Sequence, residues 1–224
     1  MISIDWQTFW PPIRLSIQVT LLSSIVAAVL GIAAAWWMSR RKFRGQTMLD
    51  TAFLLPLVLP PTVVGFLLLM LLGRRSWVGQ AIEWLFSSPV IFSVWAAVIA
   101  AVVVAFPLVY QTMKVGFDSV DRELEESARS MGASNMQVFR MITLPLAWRS
   151  LVTAYVLGFA RGLGEFGATL MIAGNIPGKT QTVPTAIYVA VDAGRMTMAW
   201  AWTIGIVIIS FLLLLLTGRW KGRH

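Results

Sequence analysis

Cysteine is absent from this chain and histidine occurs once, at the terminal His224. Without cysteine there is no disulfide framework and no thiolate nucleophile, and a lone histidine cannot build a His/Cys zinc site. Charge is scarce as well: 12% of the 224 residues are Asp, Glu, Lys or Arg, against about a quarter in an ordinary soluble domain. No convergent set of His, Ser, Asp or Cys stands in the apolar segments, which leaves a membrane-embedded enzyme without acids, bases or nucleophiles. Met1 to Trp10 carries Asp5, has no basic cluster and is followed by no small-residue cleavage site. The first apolar run is therefore expected to remain as a membrane anchor and not to be removed as a signal peptide.

What remains is apolar. Hydrophobic residues make up 58% of the chain. They gather into four uncharged runs, Leu15 to Met38, Thr51 to Leu72, Val90 to Met113 and Met196 to Gly218. A fifth run, Ser150 to Asn175, is interrupted by Arg161 and Glu165. Each reaches the roughly 20 residues that a helix needs to cross the hydrocarbon core. Backbone amides find no water there, so a run must be a helix or a barrel strand, and runs this continuous lack the alternation of a barrel. The expectation is an all-α integral membrane protein, one domain over residues 1–224, with about five spans near 13–38, 50–72, 91–113, 150–174 and 197–218.

The net charge of +8 could suggest nucleic acid, but the basic residues fall between spans, which is a topology signal. Arg40, Arg41, Lys42 and Arg44 form one cluster, Lys114, Arg122, Arg129, Arg140 and Arg149 a second, and Arg219, Lys221 and Arg223 a third. The other loops hold Arg74, Arg75, Lys179 and Arg195. Five spans put all three clusters on one side, and basic excess marks the cytoplasmic side. The N-terminus is then outside and the C-terminus inside.

The largest inside segment, Lys114 to Arg149, has the signals of two short helices. Asp121 can cap the first, Glu123, Glu125 and Glu126 crowd its early turns, and Arg129 lies in its last turn, all complementing the helix dipole. Gly132 supplies a stop. Ser134 and Gln137 make a capping box for the second, which is expected to end before Pro145. Apolar residues recur at helical spacing: Leu124, Ala128 and Met131 on the first, Val138, Phe139 and Ile142 on the second. Such a face can rest on the chain's own membrane domain or dock into a groove on another protein, and periodicity does not choose.

Glu126-Ser127-Ala128, three residues, Gly132, nine residues, Ile142, one residue and Leu144-Pro145 resembles the cytoplasmic "EAA" loop of importer-type ABC permeases, with serine in place of the first alanine. Four further stretches, Leu57 to Gly65, Gly73 to Ser76, Phe159 to Thr169 and Asn175 to Gly178, look like the permease of molybdate ABC transporters; sulfate and tungstate permeases are close. The resemblance implies a type I ABC importer permease architecture, with two coupling helices within about 118–145. It implies that Glu126, Ala128, Gly132, Ala133, Ile142, Leu144 and Pro145 engage a cytoplasmic ATPase, and that Arg161, Glu165, Thr169, Pro60, Pro61 and Thr62 are pore or gate candidates. It further implies a bacterial inner-membrane location and no cofactor on this chain, with ATP and Mg on the ATPase. The partners implied are a second copy of the chain, ATPase subunits, an extracellular or periplasmic solute-binding protein and lipid, with no nucleic acid. The tail from Gly218 to His224 is expected to be too short for the regulatory domain that some relatives carry.

Several features carry a second reading. Ala173 and Gly178-Lys179-Thr180 satisfy a relaxed phosphate-loop pattern, but that motif needs a buried strand before it and a helix after it. A span precedes it here, and an outer loop with a short helix near Thr185 to Ala193 is the expectation. Arg161 and Glu165, four apart, can pair on one helix face. They either lock helices together or lie beside a translocation path. Gly158 and Gly162 suit close helix approach. Pro56, Pro60 and Pro61 are expected to break the second span and Pro107 the third. Trp36, Trp37, Trp95, Trp200 and Trp202 lie near span ends as interfacial anchors. An ion-coupled secondary transporter is the competing function, but it would want several midplane sites and an inverted repeat, and the sequence offers one ion pair and no repeat.

Overall fold

The computed structural model describes residues 5–41 and 43–221, with side chains to residue 215. Residues 1–4, Lys42, Arg223 and terminal His224 lie outside the described residues, and the side chains of Arg219 and Lys221 lie outside them too. Among the described residues the chain is helical, with no strand.

Three helices are each long and apolar enough to cross a membrane: α1 (Trp6–Arg40), α5 (Val94–Asp118) and α12 (Met196–Lys221). Two further helix pairs are apolar enough to cross only when taken together, and both are sharply bent. The helices α2 (Gln46–Val58) and α3 (Pro61–Leu72) meet at 113°. The segment Asn135–Leu146 meets α9 (Trp148–Leu163) at 75°. Shorter helices complete the chain: α4 (Trp77–Phe86), α6 (Arg122–Ser130), α7 (Asn135–Val138), α8 (Leu144–Leu146), α10 (Gly167–Ala173) and α11 (Val183–Asp192), with a π-helical turn at Phe139–Thr143.

Helix α5 is the axis of the bundle. In its most apolar stretch 61% of residues are buried, against 17% in α12, so α5 is wrapped by protein and α12 faces outward. Ala96, Ala97, Ala100, Ala101 and Ala105 are buried along it, and small side chains let α1, α9, α10 and α2 approach closely. The approach is close at Gly31 of α1, where a Cβ would stand 2.7 Å from Val109 Cγ1, and at Gly158 of α9, where it would stand 2.6 Å from Val109 Cγ2. Pro107 does not break α5, contrary to expectation: the proline is buried inside a helix clamped on several sides, so the turns around it hold.

Helix α1 starts at Trp6, ahead of the span expected near 13–38, because Asp5 caps it by accepting from the Gln7 N–H at 3.0 Å. Its 35 residues extend about 52 Å at 1.5 Å per residue, well beyond a hydrocarbon core of about 30 Å. Its last turn places Arg40 against α6.

The bend between α2 and α3 follows from two consecutive pre-proline positions. Leu59 (ψ 141°) and Pro60 (ψ 135°) are both extended, because each precedes a proline ring that disfavours the α region. Pro61 then opens α3 at its first position. Pro56 stays inside α2.

Outward faces of α1, α3 and α12 carry rows of exposed apolar residues, among them Ile25, Val29, Phe66, Met70, Val207 and Phe211. Such a surface exceeds what water-exposed proteins tolerate and suits hydrocarbon or another subunit. Trp95 and Trp200 are exposed as interfacial anchors should be, but Trp202 is not one of them. It is buried, donates its indole N–H to the Phe9 carbonyl at 3.0 Å and stacks on the Phe9 ring, so it joins α12 to α1.

Candidate functional site

Two places in the fold concentrate polar geometry: the bundle end carrying α6 to α8, and the point where the break between α2 and α3 meets the break between α9 and α10.

At the first, α6 begins at Asp121, whose carboxylate accepts from the Glu123 N–H at 2.9 Å. It ends in a Schellman motif: the Gly132 N–H donates to the Arg129 carbonyl at 2.9 Å and the Ala133 N–H to the Ala128 carbonyl at 3.0 Å. Gly132 sits at φ +93°, a left-handed conformation that glycine adopts freely. The loop's Ala128, Gly132 and Ala133 are thus the three residues that close one helix and turn the chain. Ser134 and Gln137 form the expected capping box, with bonds of 3.3 and 2.8 Å, and open α7.

The second helix does not stop before Pro145. It widens into the π-helical turn, in which the Leu144 N–H reaches back to Phe139 O, and then continues to Leu146. The wider turn opens the ladder just ahead of the residue that has no N–H to give.

The apolar stripe divides between two faces. Ala128 and Val138 are buried, and Phe139 packs on Trp36 with ring centroids 4.7 Å apart. Leu124, Met131, Met136 and Met141 point away from the bundle, with Met131 83% exposed. Ile142 and Leu144 are half-buried, and Glu126 and Pro145 are exposed. One face therefore rests on the chain's own membrane domain, while among the described residues nothing covers the other.

Glu125 was not singled out by the spacing, yet it is the buried carboxylate of the segment. Arg40 from α1 pairs with it, Arg129 stands 3.3 Å away, and the Thr143 hydroxyl donates to it at 2.6 Å. Asp50 was missed as well. It lies 2.6 Å from Lys114 Nζ and accepts from the Tyr110 hydroxyl at 2.6 Å, which fastens α2 to α5. The available signal was position, since Asp50 and Lys114 are the charges just outside the second and third apolar runs.

At the second place, α9 ends at Gly164 and the chain restarts as α10 at Gly167. Arg161 and Glu165 do pair, with Nη1 and Oε2 2.9 Å apart, but they do not share one continuous helix. Glu165 lies in the break, and its other oxygen accepts from the Ala168 N–H at 2.8 Å, capping α10. This break lies against the other one: a Cβ on Gly167 would be 3.1 Å from Pro61 Cβ and 3.3 Å from the Thr62 nitrogen. Pro60, Pro61 and Thr62 are exposed, Arg161 is half-buried, and Thr169 is buried. Pro61 and Thr62 thus adjoin the break that holds Glu165, which pairs with Arg161, while Thr169 is buried on α10.

The phosphate-loop lookalike has no phosphate geometry. A helix, α10, precedes it, and the N–H groups of Lys179, Thr180 and Gln181 all donate to the Ile176 carbonyl at 2.8 to 3.1 Å. Amides committed to one carbonyl cannot wrap a phosphate. Among the described residues no group of His, Cys, Asp or Glu is placed to hold a metal ion.

Residues 27–221 match the family model of the binding-protein-dependent transport system inner membrane component. This chain is a member of that family. The YvgM chain of Bacillus subtilis (strain 168), named as a candidate molybdenum transport system permease, is 58% identical over 95% of this permease and 93% of its own length. The molybdenum transport system permease ModB of Escherichia coli (strain K12) is 40% identical over 96% of this chain and 93% of its own. Among solved structures, a bacterial ABC transporter that imports the acidic polysaccharide alginate superposes with a TM-score of 0.77 at 17% identity, covering 96% of this chain and 79% of that one. The architecture is that of a type I ABC importer permease, and the protein is a transport subunit rather than an enzyme.

Proposed function

We propose that this permease forms the membrane path for an oxyanion, molybdate foremost, and that a separate cytoplasmic ATPase drives it through the α6–α8 segment. The observation that carries the coupling reading is the uncovered face of Leu124, Met131, Met136 and Met141 on a segment whose opposite face is anchored in the bundle. Flexible methionines suit a surface that must repack against a partner. Gly132 and Ala133 hold the corner of that surface, and Glu126, Ile142, Leu144 and Pro145 flank it. The names of the relatives support molybdate as cargo.

In this reading the coupling segment faces the cytoplasm, the N-terminus lies outside, and two copies of the chain enclose the pore. The touching helix breaks at Pro60 to Thr62 and Gly164 to Gly167 supply the gate. ATP and Mg are bound by the ATPase, and an extracellular or periplasmic binding protein delivers the anion. Arg161 neutralised by Glu165 would let an oxyanion pass without holding it, since an unpaired arginine would retain the anion and an unpaired glutamate would repel it.

The test is uptake into proteoliposomes holding this permease, its ATPase and its binding protein. Molybdate entry that requires ATP and is displaced by tungstate more readily than by sulfate is the expected result. Uptake that persists without the ATPase and collapses with the proton gradient would assign the chain to ion-coupled transport instead.

A further inference from the structure

Glu125 is 1% exposed within the most polar part of the chain. A carboxylate is costly to bury unless it is paired and hydrogen-bonded, and this one has three partners from three elements. Arg40 belongs to the last turn of α1, Arg129 to α6 and Thr143 to the π-helical turn. Arg129 also donates to the Asn135 side chain at 3.2 Å, so α6, α7 and the π-helical turn are tied to one another around the carboxylate.

Helix α1 has no chain connection to this segment. The segment is joined covalently to α5 before it and, through the bend at Ala147, to α9 after it. Among the described residues, the Arg40–Glu125 ion pair and the Trp36–Phe139 ring contact join it to α1. The pair borders a cavity of about 670 Å³ between the end of α1 and α6–α7, which Arg41, Lys114 and Asp118 also line. Farther along, α1 packs on α9, and a Cβ on Gly162 would be 3.3 Å from Ser23 Oγ, one residue from Arg161.

We propose that Glu125 is a positioning residue that yokes α1 to the coupling segment, so that displacement of α6 and the π-helical turn is delivered to α1 and along it to the helix breaks. The inference rests on the docking of an ATPase at this segment. Exposed Glu126 is the motif's glutamate on the partner side, and buried Glu125 acts within the permease.

The experiment measures anion transported per ATP hydrolysed in proteoliposomes holding the permease, its ATPase and its binding protein, together with ATPase retention on the purified permease. Arg40→Met cuts the link to α1 while Arg129 and Thr143 still satisfy Glu125. Glu125→Gln keeps the shape and removes the charge, and it decides the matter if Arg40→Met fails to accumulate. Both variants are expected to retain the ATPase while transport per ATP falls at least about fivefold, the scale of a typical coupling energy, and Arg40→Lys is expected to recover most of it. An unchanged ratio overturns the yoke, and so does a fall of transport and hydrolysis in step, which a purely structural role would produce. Wild-type permease that retains no ATPase would sink the docking reading itself, and the yoke with it.

Discussion

At the residue scale, the difference between a structural and an interaction role can be read from what surrounds each side chain. A Cβ on Gly132 would meet nothing within 4 Å, so a substitution there costs backbone conformation, about 1–2 kcal/mol for most residues, and not a clash. Asn and Asp tolerate the left-handed region better than other residues. Gly132→Asn is therefore expected to support near-normal ATPase stimulation, and Gly132→Asp, which adds charge beside the apolar docking face, to lose it while melting at the same temperature as Gly132→Asn. Equal behaviour of the two in a stimulated ATPase assay would remove the docking face from the account. Glu165 differs because its side chain is 2% exposed and serves both Arg161 and the start of α10. Glu165→Ala should cost about 3 kcal/mol, the low end for breaking a buried pair, since Arg161 keeps part of its hydration. Thermal unfolding of the purified permease in detergent checks this, and an unshifted transition would contradict it.

At the element scale, much of the architecture was legible because lipid leaves few options. Apolar runs longer than about 20 residues had to be helices, and the Ser134–Gln137 box and the Gly132 stop follow from local hydrogen-bond bookkeeping. The prolines at 60 and 61 marked the first bend for the same local reason. The break between α9 and α10 was not legible. Gly164 to Phe166 looks like the interior of an apolar run, and only the tertiary fit of α10 onto α3 and α5 ends α9 there. Pro107 and Pro145 fail in the opposite direction, because the surrounding packing and a widened turn carry helices through them. Glu125 was hidden for a related reason: three acidic residues in four positions look alike until Arg40, 85 residues away in sequence, selects one.

The α3–α10 contact gives a test at this scale. A Cβ on Gly65 would stand 2.7 Å from Ala168 Cα and 2.8 Å from its carbonyl oxygen, so backbone and not a flexible side chain would have to move. Gly65→Leu is expected to destabilise the permease by about 1–3 kcal/mol and to abolish uptake, whereas Val63→Leu on the exposed face of α3 should leave both unchanged. Uptake unaffected by Gly65→Leu would mean that the two breaks need not touch.

At the scale of the whole molecule, the chain is a buried central helix, α5, with an anchored segment at one end and a pair of abutting helix breaks within the bundle. Helix α1 runs past both and is long enough to reach beyond the membrane zone. Rows of apolar residues on α1, α3 and α12 are exposed and suit lipid or, in the proposed reading, a second copy of the chain. That layout can turn a push on α6–α8 into a shift at Pro60 to Thr62, provided that the push comes from an ATPase on the cytoplasmic side. The absence of cysteine makes this directly measurable, because a single introduced thiol is then the only one present. In Met131→Cys permease, a membrane-impermeant maleimide should label inside-out vesicles and leave right-side-out vesicles unlabelled, and bound ATPase should block the labelling. Labelling from the outside, or labelling that the ATPase leaves unchanged, would contradict the account.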